Sequence, residues 1–465
     1  MCLIHAFFLK KDFLPADTFH SMTISERLPD TPLLRKIAAE AQTEYILLYL
    51  GKTPARLLPQ AAERLIQAAQ MSQADLIYSD YYKIREGQLL PQPTIEYQTG
   101  SVRDDFHFGP LLLYRRAAFS EAVQNMKRDY HYAALYDLRL KISQKGRIFH
   151  LPEFLYAVEE DDYRLSGEKQ FDYVDPRNRS VQIEMEEACT AHLKAIGAWL
   201  PPAFQTLNLD ENTFPVEASI IIPVKNRART IADAVRSALS QKTDFPYNVI
   251  VVDNYSTDGT TQILKELSRQ SPSLLHLVPE CRELGIGGCW NEAINHPQCG
   301  KFAVQLDSDD LYNSPEVLSS IVTTFYEQKC AMVIGSYQMV NNKLEEIPPG
   351  LIDHHEWTPE NGPNNALRIN GLGAPRAFYT PLLRKIRFPN VSYGEDYAVG
   401  LALSPNYTIG RIFRPLYLCR RWEENSDASL DMDKQNNYNF YKDKLRTLEI
   451  RQRISQNAGR IGRQD

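Results

Sequence analysis

Three carboxylates end the apolar run Phe302-Ala303-Val304-Gln305-Leu306-Asp307-Ser308-Asp309-Asp310. If that run is a strand, Asp307 and Asp309 stand at its carboxyl edge, where open α/β sheets bind their ligands. Hard oxygen ligands suit Mg2+ or Mn2+, and such an ion suits a diphosphate. An acidic surface turn reads the same in isolation, so the neighbouring segments carry weight. Asp253 closes a second apolar run, Val249-Ile250-Val251-Val252, and opens Asp253-Asn254-Tyr255-Ser256-Thr257-Asp258-Gly259-Thr260. It also stands where it could cap the next helix. Glu395 and Asp396, in Tyr393-Gly394-Glu395-Asp396-Tyr397, precede a helical stretch from Ala398 to Leu403, where a helix dipole equally favours acids.

These acids need a frame. Ala218-Ser219-Ile220-Ile221-Ile222-Pro223-Val224-Lys225-Asn226 is a short β-branched run stopped by proline, which predicts a buried strand. Ile231, Ala234, Val235, Ala238 and Leu239 recur at helical spacing after it, and a further helix is expected over Ile263 to Leu267. Strand, helix, strand, helix with an acid at a strand end is the first half of a nucleotide-binding α/β unit. Further on come a flexible apolar loop, Gly371-Leu372-Gly373-Ala374-Pro375, and the basic pair in Cys419-Arg420-Arg421-Trp422.

Four motifs in this order, I-I-I-P-V-x-N, V-D-N-x-S-T-D-G-T, L-D-S-D-D and G-E-D before a helix, resemble the family 2 glycosyltransferases. The likeness covers roughly Glu217 to Trp422. It implies the GT-A fold, a Rossmann-like nucleotide-binding α/β domain, and an inverting transfer from a nucleotide sugar. By that likeness Pro223, Lys225 and Asn226 hold the nucleotide, with Asn291 beyond them. Asp253 accepts from the base, typically uracil N3–H. Asp309 is the direct ligand of Mn2+ or Mg2+, Asp307 lies nearer the ribose, and Asp396 is the catalytic base. Gly373, Ala374, Glu395, Arg420 and Arg421 would line the donor and acceptor pocket. The chemistry agrees: an acceptor hydroxyl must lose its proton as it attacks, and the departing diphosphate gathers negative charge.

Other readings stay open beside these. Arg420 and Arg421 either contact the diphosphate or pair with Glu423, Glu424 or Asp427. His354-His355 before Glu356 reads as a solvated loop more readily than as a metal site. Gly285-Ile286-Gly287-Gly288 has no following Lys-Ser/Thr, so it is no P-loop; it lets the chain pass close to the nucleotide or to another strand. Cys289-Trp290-Asn291 stands where the family commonly has an arginine, which leaves Arg282 or Arg420 to meet a phosphate. Leu418 replaces the glutamine of the processive-synthase signature, which argues against polymer extrusion.

The first 160 residues look like a worn copy of the same frame. Tyr45-Ile46-Leu47-Leu48-Tyr49-Leu50-Gly51-Lys52-Thr53 aligns with the D-x-D strand, so that Lys52 falls on Asp309 and Leu50 on Asp307, 257 residues apart (52 to 309). The same offset sets Leu76-Ile77-Tyr78-Ser79 against Val333-Ile334-Gly335-Ser336. At nearly the same spacing Asp137 falls on Asp396, and Phe108-Gly109-Pro110 sits in its copy roughly where Gly373-Ala374-Pro375 does. This predicts an internal duplication whose first copy lacks catalysis and serves packing, dimerisation or acceptor binding. An ammonium at position 52 repels a divalent cation.

At 465 residues the chain exceeds one hydrophobic core. The expected division is a degenerate GT-A-like domain over 1–165, a helical connector and linker over 166–215, a catalytic GT-A domain over 216–425, and a polar helix and tail over 426–465. A net charge of −6 gives no support for nucleic-acid binding. No window approaches 18 continuous apolar residues, so no transmembrane segment is expected, and peripheral membrane contact stays open. The amino terminus lacks a basic n-region, and seven cysteines without C-x-x-C spacing read as reduced thiols. The expected protein is cytoplasmic. It moves one hexosyl or N-acetylhexosaminyl unit from a nucleotide sugar, most readily a UDP-sugar, to a hydroxyl of a glycan or glycolipid in surface polysaccharide synthesis. The alternatives are a sugar nucleotidyltransferase, disfavoured because Pro223 to Arg229 contains no glycine, and a non-catalytic nucleotide-sugar-binding scaffold.

Overall fold

The computed structural model of the chain describes residues 4–8, 20–23, 29–159, 178–210, 213–358, 360–421 and 431–461. Trp422, Glu423, Glu424 and Asp427 lie outside them. Two units form. The first comprises Met1–Lys169, Arg179–Trp199 and Leu430–Asp465, and the second Gln170–Asn178 and Leu200–Ser429. The helix expected as a connector, Arg179–Ala195, groups with the first unit. So does the C-terminal helix, which runs from Met432 to Ile461, inside the segment expected as a polar helix and tail. Its Asp443 is fully buried and pairs with Arg103 at 3.1 Å and Arg446 at 2.8 Å, so the tail is built into that unit's core.

The first unit holds β1 (Ile4–Phe8), β2 (His20–Thr23), β3 (Tyr45–Tyr49), β4 (Ala55–Leu57), β5 (Leu76–Arg85), β6 (Gln88–Gln92), β7 (Leu111–Arg115) and β8 (Ile148–Glu159). The second holds β9 (Ala218–Val224), β10 (Tyr247–Asp253), β11 (Leu274–Leu277), β12 (Phe302–Gln305), β13 (Leu311–Tyr312), β14 (Met332–Val340), β15 (Glu346–Ile352), β16 (Arg376–Tyr379) and β17 (Ile409–Arg420). The second sheet runs β11-β10-β9-β12-β16-β14-β17-β13, with β15 on β14. The isoleucines of β9 are fully buried, as a central strand covered on both faces requires. The helix Ile231–Leu239 turns Ile231, Ala234, Val235 and Ala238 inward, as its spacing predicts.

The first sheet runs β2-β1-β3-β7-β5-β8-β4, with β6 on β5. Replacing each strand by its counterpart, β10-β9-β12-β16-β14-β17-β13 with β15 on β14, gives the second sheet less β11. Directions match as well. β1 is parallel to β2 and β3, β7 antiparallel to β3 and β5, β5 parallel to β8, and β4 antiparallel to β8. The second sheet repeats each relation. Both β5–β8 and β14–β17 break register in mid-strand, just before Tyr81 pairs with Tyr156 and Tyr337 with Tyr417.

The ladders refine the sequence alignment. Leu76 pairs with Tyr114 and Ile148, and Met332 with Phe378 and Ile409. Leu76 therefore corresponds to Met332 rather than Val333, and Asp80 rather than Ser79 takes the place of Ser336. The helices Ala134–Lys145 and Glu395–Leu403 begin 261 residues apart (134 to 395), as do β8 and β17 (148 to 409). Leu135, not Asp137, then stands opposite Asp396, and Asp137 pairs with Lys141 of its own helix at 3.0 Å.

Candidate active site

Parallel register brings the carboxyl ends of three strands together: Val224 of β9 faces Asp253 of β10, and Ile221 faces Gln305 of β12. The chain beyond each end is laced to its neighbour. Asn226, in a left-handed conformation (φ 55°), accepts from Thr257 N–H at 2.8 Å and donates its own N–H to Ser256 Oγ at 3.0 Å. Asp258 accepts from Ala228 N–H at 2.9 Å and from Thr260 N–H at 3.1 Å, so it ties the first loop to the start of the helix Thr260–Gln270. Lys225 and Asn226 are exposed beside them, and Pro223 is half-buried at the strand end.

Asp253 is buried and accepts from Ser256 N–H at 3.0 Å and Thr261 Oγ1 at 2.5 Å, with His276 Nε2 at 3.3 Å. Burial alone would raise its pKa. The hydrogen bonds from His276, Thr261 and Ser256 outweigh burial and hold the carboxyl well below its usual range. It is an ionised acceptor at the sheet edge.

The D-x-D segment is crowded. Burial and then the charge of Asp307 push the Asp309 carboxyl up, against Arg227, whose Nε lies 3.5 Å from Asp309 Oδ2. Asp310 is buried and pushed up by burial, then by Asp309 and Asp307; its Oδ1 accepts from Arg420 N–H at 2.8 Å. Surplus negative charge of this kind fits a divalent cation. Among the described residues no group of three or more His, Cys, Asp or Glu side chains is poised around a common point. Asp309 and Asp307 could therefore hold Mn2+ or Mg2+ jointly with a diphosphate rather than in a cage of protein ligands.

Arg420 is buried; its Nε donates to the Asp309 carbonyl and its Nη1 lies 3.4 Å from Asp233. It braces the acidic loop from behind. Arg421 donates its backbone N–H to Val340 O at 2.7 Å. Arg282 lies over the Tyr255 ring at 4.5 Å, beside the β10 loop.

Two expected site elements are otherwise engaged. Asn291 donates to Phe388 O at 2.8 Å and accepts from Phe388 N–H at 3.0 Å. Both ends of its amide bond the Phe388 backbone, so it fixes the 388 segment. The glycines 285–288 serve close packing: a Cβ on Gly287 would collide with the Pro389 carbonyl oxygen. His354 is not in a solvated loop. It is buried, and its Nδ1 lies 3.0 Å from Glu356.

Across the edge, Asp396 Oδ2 lies 2.8 Å from Arg376 Nη1, which also donates to Gly373 O at 2.8 Å. Gly373 is left-handed (φ 85°), a conformation that favours glycine; Ala374 follows it in the same loop. Glu395, next to Asp396, is buried with no partner for Oε2. Burial, then the neighbouring Asp396 charge, pushes its pKa up to about 8. The native state thus keeps, between its ordinary value of 4.5 and about 8, a proton that the unfolded chain has lost, so stability should fall as pH rises through that window. Glu395→Gln should flatten the dependence. Urea-unfolding midpoints of the two proteins from about pH 5 to pH 8 check this; parallel curves would refute it.

Sequence reasoning missed Arg227, His276, Gln305, Arg376 and Tyr417, whose Oη accepts the Asp307 N–H at 2.9 Å. Only Gln305 carried a signal, a polar side chain within an apolar strand.

Residues 219–387 match the family model described as glycosyl transferase family 2. Among curated proteins, a putative teichuronic acid biosynthesis glycosyltransferase of Bacillus subtilis is 30% identical over 187 residues, which cover 40% of this chain and 71% of that protein. A poly(ribitol-phosphate) beta-glucosyltransferase of Bacillus spizizenii is 27% identical over 39% of this chain but only 28% of its own length. Among solved structures, S. aureus TarS 1-349 in complex with UDP-GlcNAc covers 52% of this chain and 71% of that one at 22% identity, with a TM-score of 0.40.

Proposed function

The chain belongs to glycosyl transferase family 2 and is a glycosyltransferase, and on that footing we propose that it moves one sugar from a UDP-sugar to a hydroxyl of a glycan or glycolipid, with inversion. The observation that carries this reading is the convergence at one sheet edge of an ionised acceptor, Asp253, the paired acids Asp307 and Asp309, and Asp396 held by Arg376. An anionic acceptor suits a base edge that presents N–H, as uracil does. The teichuronic acid biosynthesis and poly(ribitol-phosphate) glucosyl transfer named for these relatives support a surface-polysaccharide acceptor. No helix among the described residues is long and apolar enough to cross a membrane, and we place the reaction in the cytoplasm, at or near the membrane face.

In the proposed reaction the acceptor oxygen attacks the anomeric carbon while the Asp396 carboxylate takes its proton. The bond to the diphosphate breaks on the opposite face, which inverts the centre. Mn2+ or Mg2+, when bound, supplies positive charge to the leaving diphosphate. Arg227 and Arg420 hold the acidic loop in place, and Lys225 is exposed close to the same edge. Product analysis tests this. Release of UDP on addition of acceptor is expected, whereas release of pyrophosphate would indicate nucleotidyl transfer instead.

We propose further that the first unit is a degenerate copy without catalysis. The shared strand order supports this, as does what stands at the site positions: Leu50 for Asp307, Lys52 for Asp309 and Leu112 for Arg376. Lys52→Ala should leave the transfer rate within about twofold. Loss of activity in a protein of unchanged melting temperature would defeat this part of the proposal.

A further inference from the structure

Gln305 is the last residue of β12, two before Asp307, and is buried. Its Nε2 lies 2.9 Å from both oxygens of the Asp307 carboxylate, and its Oε1 accepts from Arg376 N–H at 3.1 Å. The amide can face only this way, because a backbone N–H can only donate and a carboxylate can only accept. The β12–β16 ladder pairs Phe302 with Tyr379, Ala303 with Phe378 and Val304 with Ala377; Gln305 and Arg376 come next. One side chain thus links the first acid of the D-x-D to the strand end whose arginine grips Asp396.

The molecule contains its own control. In the first sheet the β3–β7 ladder pairs Tyr45 with Arg115 and Leu48 with Leu112. Registered through β5 and β14, Leu48 stands at the place of Gln305 and Leu112 at that of Arg376. Leu48 is fully buried and Leu112 nearly so. The frame closes with leucine at both positions where no D-x-D follows. A polar pair in the same rungs of the second sheet is therefore not a requirement of the fold. An unpaired amide buried there would be costly, so its retention points to what it holds.

We infer that Gln305 is a positioning residue for donor binding: its amide fixes the Asp307 carboxylate in one orientation and registers it against the Arg376–Asp396 pair. The inference rests on the reading of Asp307 as part of the nucleotide site.

Calorimetric titration of UDP in saturating Mn2+ tests it, with wild type, Gln305→Leu, Asp307→Asn and the double variant. Gln305→Met repeats the test with a side chain of similar length and no amide. Either Gln305 variant should bind UDP about tenfold more weakly, or about 1.4 kcal/mol, the loss expected for a hydrogen bond to a charged group. Melting temperatures should stay within a few degrees, as the leucine in the first sheet indicates. In the Asp307→Asn background the Gln305 change should have little further effect, because its partner is already altered. A purely structural glutamine would weaken binding equally in both backgrounds, and that result overturns the inference; so does unchanged UDP affinity in both Gln305 variants. If wild type itself binds no UDP, or Asp307→Asn binds as wild type does, the nucleotide-site reading fails and the inference with it.

Discussion

Asp396→Asn should lower kcat by about 10²–10⁴-fold, the range that general-base catalysis contributes, while the KM for the donor changes only a few-fold. The reason is local. Arg376 holds the carboxylate, its Nη1 2.8 Å from Oδ2, beside the D-x-D strand end. An asparagine can still accept from the guanidinium through its amide oxygen, so the loop from Gly373 to Arg376 should keep its place. It cannot take the acceptor's proton. The pair is only about one-fifth exposed on each side, so losing its charge should also cost some stability, limited because Asp307 and Glu395 act on Arg376 as well. Steady-state kinetics of sugar transfer, beside UDP binding measured separately, check this. UDP affinity should match wild type. A kcat within tenfold of wild type would remove Asp396 from the role of base.

Asp309→Ala should abolish Mn2+-dependent UDP binding and lower kcat/KM by about three orders of magnitude. That loss corresponds to several kcal/mol of charge stabilisation at the leaving group. Asp309 sits where burial and Asp307 already disfavour its charge, with Arg227 Nε 3.5 Å from its carboxylate. Alanine removes a hard oxygen ligand and also relieves the repulsion on buried Asp310. The variant should therefore fold at least as well as wild type while losing function, a combination that separates a metal ligand from a structural acid. Dye-monitored melting and donor turnover with added Mn2+ or with chelator check the two halves. Chelator-insensitive turnover equal to that of wild type would contradict the assignment.

The parts of this site legible in sequence are those that lie along one segment. β9, β10 and β12 were readable because their runs are apolar and β-branched and each stops at a turn or an acid. Asp253, Asp307, Asp309 and Asp396 stood out for the same reason: each is a carboxylate at an element's end. The contacts that residues make across strands were invisible. Arg376 matters through Asp396, twenty residues on, and Gln305 through the rung it shares with β16. Neither relation has a local pattern. The two hydrogen bonds by which Asn291 fixes the Phe388 backbone, 97 residues on, have no local pattern either. The duplication was detectable through the D-x-D strand, but its register was not. Sliding β5 by one residue leaves an apolar run apolar, and only the pairing with β7 and β8 sets Leu76 against Met332.

Calorimetric titration of UDP, GDP and a set of UDP-sugars, in Mn2+ and again in chelator, addresses the central claim most directly. The account predicts saturable binding of UDP and of one UDP-sugar in Mn2+, lost in chelator and in Asp309→Ala. Binding of no nucleotide under any condition, or binding equal in Mn2+, in chelator and in Asp309→Ala, would contradict it.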